Sequence, residues 1–122
     1  MWTFPYYIPG QLPDWQALER RFSWFADMKD VPQDPEWHAE GDVFTHTKMV
    51  CKALLKLPEF QALDEQEQHI LFAAAMLHDV EKRSTTKREI ENGKECIVSP
   101  HHAQKGEHTA RTLLYSELAV PF

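Results

Sequence analysis

The apolar run from Ile70 to Leu77 is the feature that most restricts how this chain can fold. A helix that is apolar on every side is typical of the buried centre of a domain, not of its surface. His78 and Asp79 follow the run directly, so two polar side chains are expected in the interior. An unpaired neutral group there costs roughly 2 kcal/mol or more, and an unpaired charge costs far more. A divalent cation would compensate both, because it binds a neutral imidazole nitrogen and a carboxylate oxygen together.

The length of 122 residues suits one domain, residues 1–122, with a hydrophobic core of its own. Cys51 and Cys96 form no CxxC pair, so we expect free thiols in a reducing cytoplasm and no cysteine-based zinc site. No apolar stretch approaches the roughly 18 residues of a membrane span, and the first residues lack the basic start of a signal peptide. We therefore expect a cytoplasmic protein with no membrane partner.

The formal net charge of −6 argues against a non-specific nucleic-acid binder, because such proteins need a broad cationic face. Positive charge nevertheless gathers in the segment after Asp79. The basic residues of this segment are Lys82, Arg83, Lys87, Arg88, Lys94 and Lys105. Their concentration favours a small phosphorylated ligand or the end of a nucleic acid as the partner.

Local signals predict an extended N-terminal strap and four helices. Prolines at positions 5, 9 and 13 exclude a helix from residues 1–13. Aspartate is a favoured N-cap, and one precedes each of the first three helical patterns. These helices are expected from Asp14 to Lys29, from Asp42 to Leu57 before Pro58, and from Asp64 to about Glu81, with a loop over residues 30–41.

The polar segment 84–99 interrupts the helical pattern. Asn92-Gly93 lies between Arg88–Glu91 and Lys94–Val98, which predicts a short hairpin or an ordered loop. Pro100 then begins a last helix that extends to about Ala119. The predicted fold is all-α, with this polar excursion as its one exception.

Several side chains outside the His-Asp pair have structural interpretations. The aromatic residues of the strap are expected to pack over the domain rather than to stack on bases. Glu40 and Asp42 are interpreted as a loop carboxylate and a helix cap, and His69 is expected on the surface. The strap aromatics are Trp2, Phe4, Tyr6 and Tyr7.

Histidines are numerous, and five of the seven fall at or near the ends of predicted helices. His46 lies near the start of the second helix and His78 at the end of the third, so antiparallel neighbours would bring them together. An ion held by two imidazoles and one carboxylate keeps open positions for a phosphoryl oxygen and for a water whose pKa drops toward about 7. The five histidines are His46, His78, His101, His102 and His108.

Three segments, at residues 44–47, 76–82 and 100–106, resemble the successive motifs of the HD-domain metal-dependent phosphohydrolases. The resemblance implies an HD-domain helical bundle in which His46, His78 and Asp79 bind a first metal. His102 matches the family's later histidine, which supports a second metal or the scissile phosphate. Manganese, iron, cobalt, nickel and zinc all suit such ligands. The three segments are Phe-Thr-His-Thr at 44–47, Met-Leu-His-Asp-Val-Glu-Lys at 76–82 and Pro-His-His-Ala-Gln-Lys-Gly at 100–106.

Residues 31–43 indicate which members of that family the chain resembles most. They are similar to the HD domains of bacterial tRNA nucleotidyltransferases, and more similar to the amino-terminal HD module of bacterial RNA end-healing enzymes, which is fused to a polynucleotide kinase. The resemblance runs from about Phe22 to Tyr115. It implies a phosphodiesterase and phosphatase acting on RNA 2′,3′-cyclic phosphate and 2′-phosphate ends in RNA repair. The alternatives are hydrolysis of small nucleotides and a catalytically silent module that binds metal or nucleotide.

The expected catalytic residues are Asp79, Lys82 and His102. Lys82 would lie on the metal side of the helix end, where its ammonium can act as a point charge on a phosphate oxygen. A solvated lysine that closes the helix is the alternative interpretation. His108 and Arg111 are further candidates for contact with the substrate phosphate, and surface positions are the alternative for both.

One element of the family pattern is missing. The family's distal aspartate lies beyond the late histidine, but no aspartate follows Asp79, and Glu107 and Glu117 are poor substitutes by position. We expect a longer chain with the last ligand and a linked kinase domain downstream, since the 122 residues contain no GxxxxGK[ST] phosphate loop. A degenerate site is the alternative.

Overall fold

A computed structural model describes residues 1–36 and 38–121 of the chain. The fold is largely helical, as predicted, with one small antiparallel sheet. The strap over residues 1–13 contains neither helix nor strand. The elements in order are α1 (Trp15–Arg21), α2 (Ser23–Ala26), α3 (Val43–Lys56), α4 (Pro58–Gln61), α5 (Glu65–Leu77), α6 (Lys82–Thr85), β1 (Lys87–Glu91), β2 (Lys94–Val98) and α7 (His102–Ser116).

Aspartate side chains begin three of the helices. Asp14, Asp42 and Asp64 each accept a hydrogen bond from the backbone N–H three residues later. A helix start leaves its first N–H groups without partners inside the helix, and these carboxylates satisfy one each. The three predicted helix starts are confirmed.

The predicted helix ends differ from those in the structure. The first helix breaks at Phe22, whose backbone is extended and whose fully buried ring lies between the rings of Phe4 and Trp24. The third ends at Leu77 instead of about Glu81, and the short helices α4 and α6 were not predicted. The last helix extends over His102–Ser116 instead of from Pro100 to Ala119. At Phe22 the extended backbone accompanies full burial of the ring, and helical periodicity does not contain that information.

The helix α5 packs against α3 and against the strap. The Tyr7 ring stacks on the Phe72 ring at a centroid distance of 4.5 Å, and Trp2 Nε1 donates to the Leu118 carbonyl oxygen at 2.7 Å. His69 is buried, and its Nδ1 accepts a hydrogen bond from the Phe4 backbone N–H at 2.9 Å. The expected surface position of His69 is therefore wrong, because the strap covers this face of α5.

The expectation that α5 is buried on every side is wrong for one of its faces. Phe72 and Met76 are fully buried, whereas Ile70 and Leu71 are 39% and 41% exposed. The exposed face forms one wall of an apolar groove between α5 and α7. Neighbouring elements thus cover only part of the apolar run.

The polar segment forms the short hairpin that was predicted as one of two possibilities. Strands β1 and β2 pair antiparallel, with Lys87 opposite Val98 and Glu91 opposite Lys94. Asn92 and Gly93 both have positive φ, as two-residue hairpin turns require. In the described ranges no helix is long and apolar enough to cross a membrane.

Both cysteines are free thiols, as predicted. Cys51 lies in the core beside α5, and burial raises the pKa of its thiol to about 12. Cys96 lies in β2. A thiol with so high a pKa is a poor nucleophile near neutral pH, so Cys51 is a packing residue.

Candidate metal centre

Three histidines converge on the carboxylate of Asp79. His46 lies in the first turn of α3, His78 caps the end of α5, and His102 begins α7. The three distances to Asp79 are His78 Nε2 to Oδ2 at 3.1 Å, His46 Nε2 to Oδ2 at 3.6 Å and His102 Nε2 to Oδ1 at 3.5 Å. The structure therefore brings together all four residues that the sequence nominated as metal ligands.

The other ring nitrogen of each histidine faces a hydrogen-bond acceptor. A carbonyl or carboxylate oxygen can only accept, so each Nδ1 carries the proton. A neutral imidazole in this tautomer has its lone pair on Nε2, the atom that faces Asp79. The Nδ1 partners are the Ala75 carbonyl for His78 at 2.6 Å, the Ser99 carbonyl for His102 at 2.8 Å and Glu40 Oε1 for His46 at 2.6 Å.

This arrangement fits a divalent cation. Lone pairs on nitrogen repel a carboxylate unless protons or a cation lie between them. Two ligands about 2.1 Å from one tetrahedral ion lie roughly 3.4 Å apart, which is close to the distances from Asp79 to the histidines. The donor atoms of His46, His78 and Asp79 also lie within 4.8 Å of one another.

Asp79 is the buried charge of this centre, with only 7% of its side chain exposed, whereas His78 is 36% exposed. Burial raises the pKa of Asp79, but when His78 is protonated its hydrogen bond and charge, together with the charge of Lys82, outweigh burial and hold that pKa well below its usual range. Burial lowers the pKa of His78, and the hydrogen bonds to Asp79 and the Ala75 carbonyl more than reverse this. Asp79 is therefore ionised and available as a ligand.

Lys82 faces the centre instead of solvent. Its Nζ lies 3.2 Å from Asp79 Oδ2 and donates to Gln33 Oε1 at 3.0 Å, and 13% of the side chain is exposed. The interpretation as a solvated terminal lysine does not match this position. Catalytic contact with a phosphate stays a prediction for this residue.

Glu40 is a residue whose link to the centre the sequence did not reveal. Its Oε1 accepts from His46 Nδ1 and lies 3.4 Å from His38 Nδ1. The hydrogen bond of its own backbone N–H lowers the pKa of Glu40, and the bond to His46 lowers it further. A carboxylate in this position orients the histidine and sets its tautomer. The short spacing from Glu40 to His46 across a helix cap is the signal that could have found it.

Gln33 is a second residue whose link to the centre the sequence did not reveal. It lies in the loop before α3, is 8% exposed, and holds Lys82 through its Oε1. Its Nε2 has no hydrogen-bond partner among the described residues. A buried donor without a partner costs about 1–3 kcal/mol. Such a cost in a native protein calls for a specific explanation.

Most of the basic residues that follow Asp79 are paired with acids. Arg83 and Lys105 both contact the carboxylate of Glu81, which is 5% exposed. Burial raises the pKa of Glu81, and bonds to Ser84 and Arg83 more than offset this. Lys82 is the cation that faces Asp79 among the residues the structure describes. The other pairs are Lys87 with Glu89, Arg88 with Glu95 and Lys94 with Glu36.

The remaining two predicted site residues lie on the exposed side of α7. Arg111 donates to Glu107 Oε1 at 2.8 Å, and His108 is exposed. Over residues 1–36 and 38–121, the structure records no contact between either residue and the three histidines or Asp79. Contact of these two with a substrate phosphate remains a prediction.

No protein-family model matches the chain, and the searches of curated proteins and of solved structures return no match.

Proposed function

We propose that this chain is an HD-domain metal-dependent phosphohydrolase that acts on RNA 2′,3′-cyclic phosphate and 2′-phosphate ends. The observation that carries the proposal is the convergence of three Nε2 atoms on the carboxylate of Asp79, each with its Nδ1 bound to an acceptor. The resemblance of residues 44–47, 76–82 and 100–106 to the HD family supports the reaction class, and that of residues 31–43 to the RNA end-healing HD modules supports the substrate class. A linked kinase domain and a cytoplasmic location are parts of the same proposal.

Each side chain of the centre has a separate proposed role, either in metal binding or in contact with the phosphate. His46, His78 and Asp79 would hold a divalent manganese, cobalt, nickel, iron or zinc ion, and His102 would complete the set or hold a second ion. When bound, the ion supplies a Lewis acid and a water of lowered pKa. Lys82 would neutralise a phosphoryl oxygen, since its ammonium lies beside Asp79 at the same centre.

The ordered histidine rings reduce the cost of assembling the centre. The Ala75 and Ser99 carbonyls hold the rings of His78 and His102 in the orientation that presents Nε2. Glu40 does the same for His46 from the opposite side. A preorganised ligand set needs little rearrangement when an ion binds.

The test is hydrolysis of a short RNA that ends in a 2′,3′-cyclic phosphate, with each metal in turn. We expect activity that requires metal and is lost in His78→Ala and in Asp79→Asn. Arg88→Ala is the matched control, since Arg88 is exposed in the hairpin and pairs with Glu95. Metal-independent hydrolysis, or full activity in both site variants, would contradict the proposal.

Hydrolysis of small nucleotides is a second candidate. The basic residues after Asp79 are largely paired with acids, so the described residues offer no long cationic track for an RNA strand. A 2′,3′-cyclic mononucleotide in the same assay separates the two substrates. Metal binding without hydrolysis of either compound would favour the silent regulatory module instead.

A further inference from the structure

A cleft of about 190 Å³ lies beside the candidate metal centre. Gln33 lines it from the loop before α3, Lys82 from the start of α6, and His102 from the start of α7. Ser99 lines it from the segment between β2 and α7. Lys82 and His102 also contact the two oxygens of Asp79. The cleft therefore adjoins the place where an ion would bind. A water takes about 30 Å³ of liquid, so the cleft has room for a phosphoryl group.

Two residues of the cleft lining, Lys82 and Gln33, have hydrogen-bond donors that are not fully engaged. Lys82 Nζ has three donors, of which Asp79 Oδ2 and Gln33 Oε1 engage two. Gln33 Nε2 has no partner among the described residues. The orientation of this amide is set by Lys82, because the opposite orientation would place two donors together.

The one carboxylate in the lining, Asp34, is already engaged by backbone donors. Its Oδ1 accepts from the Glu36 N–H at 3.0 Å and its Oδ2 from the Ile97 N–H at 3.2 Å. The negative charge of Asp34 is therefore partly satisfied by the loop and by β2. One donor of Lys82 Nζ remains unengaged on the other side of the cleft, where Gln33 Nε2 is buried without a partner among the described residues.

We propose that this cleft is an oxyanion subsite in which Gln33 Nε2 and Lys82 Nζ bind oxygens of the substrate phosphate. The inference rests on the proposed phosphohydrolase function and adds Gln33 to it as a phosphate-binding residue. Gln33 Nε2 is itself buried, so donation to a ligand requires the Gln33 side chain to shift toward the cleft while its Oε1 keeps the bond from Lys82. The ligand class is a tetrahedral phosphate monoester or diester, which presents several acceptor oxygens to these donors.

The test uses inorganic phosphate as the probe and records two signals. The first is the side-chain amide resonance of Gln33 during a phosphate titration of the cobalt-loaded or zinc-loaded protein. The second is phosphate affinity in two variants. Gln33→Met keeps the side-chain length but removes both the donor and the acceptor of Lys82, whereas Gln33→Glu keeps an acceptor for Lys82, removes the donor and adds repulsion. We expect the Gln33 resonance to shift, and affinity to fall by about tenfold in Gln33→Met and by more in Gln33→Glu.

Controls separate this inference from the function on which it rests. Cobalt absorption titration measures the metal centre alone and should be unchanged in Gln33→Met, and Arg88→Ala should leave both metal and phosphate affinity unchanged. Failure of the wild-type protein to bind any metal would overturn the proposed function. Metal binding with no shift of the Gln33 resonance, with no phosphate binding, or with equal phosphate affinity in wild type and Gln33→Met would overturn the subsite alone.

Discussion

Nε2 of His78 lies 3.1 Å from Oδ2 of Asp79, while Nδ1 of the same ring donates to the Ala75 carbonyl at 2.6 Å. The ring is thus held from both sides at the end of α5. The carbonyl determines which nitrogen carries the proton, and the carboxylate marks where a cation would be shared. His78 and Asp79 together thus supply two of the four proposed metal ligands.

Asp79→Asn should abolish tight metal binding. The amide keeps the shape of the carboxylate but removes the negative charge on which the three histidines converge. Loss of an outer partner alone costs about 10–100-fold in metal affinity, so we expect a loss above about 100-fold for this ligand. Zinc titration with a competing chelator measures it. Glu107→Gln, at an exposed site on α7, is the control, and an equal loss there would contradict the assignment.

Glu40→Ala should lower metal affinity by about 10–100-fold although Glu40 is not a proposed ligand. In the wild-type protein His46 Nδ1 donates to Glu40 Oε1 at 2.6 Å, and the substitution removes this acceptor. Glu40→Gln retains an acceptor oxygen and should lose less. Nitrogen chemical shifts of the His46 ring report the tautomer directly.

Glu36→Gln is the matched control for Glu40, since it lies in the same loop and pairs with Lys94 at the surface. Metal affinity in that variant should equal the wild-type value. If Glu40→Ala also binds metal as tightly as the wild type, Glu40 has no role in orienting His46.

Asp42→Ala should destabilise the fold by about 1–2 kcal/mol. Asp42 caps α3 through the Thr45 N–H at 2.7 Å and also accepts from the Asp30 N–H at 2.9 Å, so its loss unpairs two backbone donors. Asp64→Ala removes a cap with one such bond and should cost less. Urea unfolding of the two variants gives the comparison, and a larger loss in Asp64→Ala would argue against the double role of Asp42.

The stability of the fold should decrease as the pH falls below about 6.5, in part because of His69. Burial lowers the pKa of His69, although the charge of Glu65 opposes this. In the unfolded chain the His69 imidazole takes up a proton at about pH 6.5. In the folded chain the same imidazole stays neutral until a lower pH. The unfolded state therefore binds more protons in that window, and the free energy of unfolding falls with pH.

His69→Gln isolates this contribution. A glutamine oxygen can still accept from the Phe4 N–H but does not titrate. Urea unfolding at about pH 7.5 and about pH 5 gives the difference in unfolding free energy between wild type and variant. This difference should shift in favour of the variant at the lower pH. A difference that is the same at both pH values would show that His69 does not contribute.

Local chemistry made part of this fold predictable. Asp14, Asp42 and Asp64 begin helices because a short carboxylate can accept from backbone N–H groups wherever the chain turns into a helix. Asn92-Gly93 forms the hairpin turn because both residues tolerate positive φ. Such signals act over a few residues and need no knowledge of the rest of the molecule.

Other features depend on what lies across the core. The break at Phe22 and the burial of His69 both follow from the strap, which places Phe4 against the Phe22 ring and its backbone N–H against His69. The exposed face of α5 at Ile70 reflects incomplete coverage by α7. Helical periodicity describes one element at a time, so it cannot state which of its faces a neighbour will cover.

The sequence by itself determined the starts of three helices and the candidate ligands His46, His78 and Asp79, because residue type and local spacing carry that information, and the resemblance to the HD family added His102. Only the tertiary structure decided that their donor atoms meet, and that Glu40 and Gln33 lie beside them. The reason is geometric: these residues come from separate helices and one irregular loop. Their distances depend on how those segments pack, which no local pattern encodes.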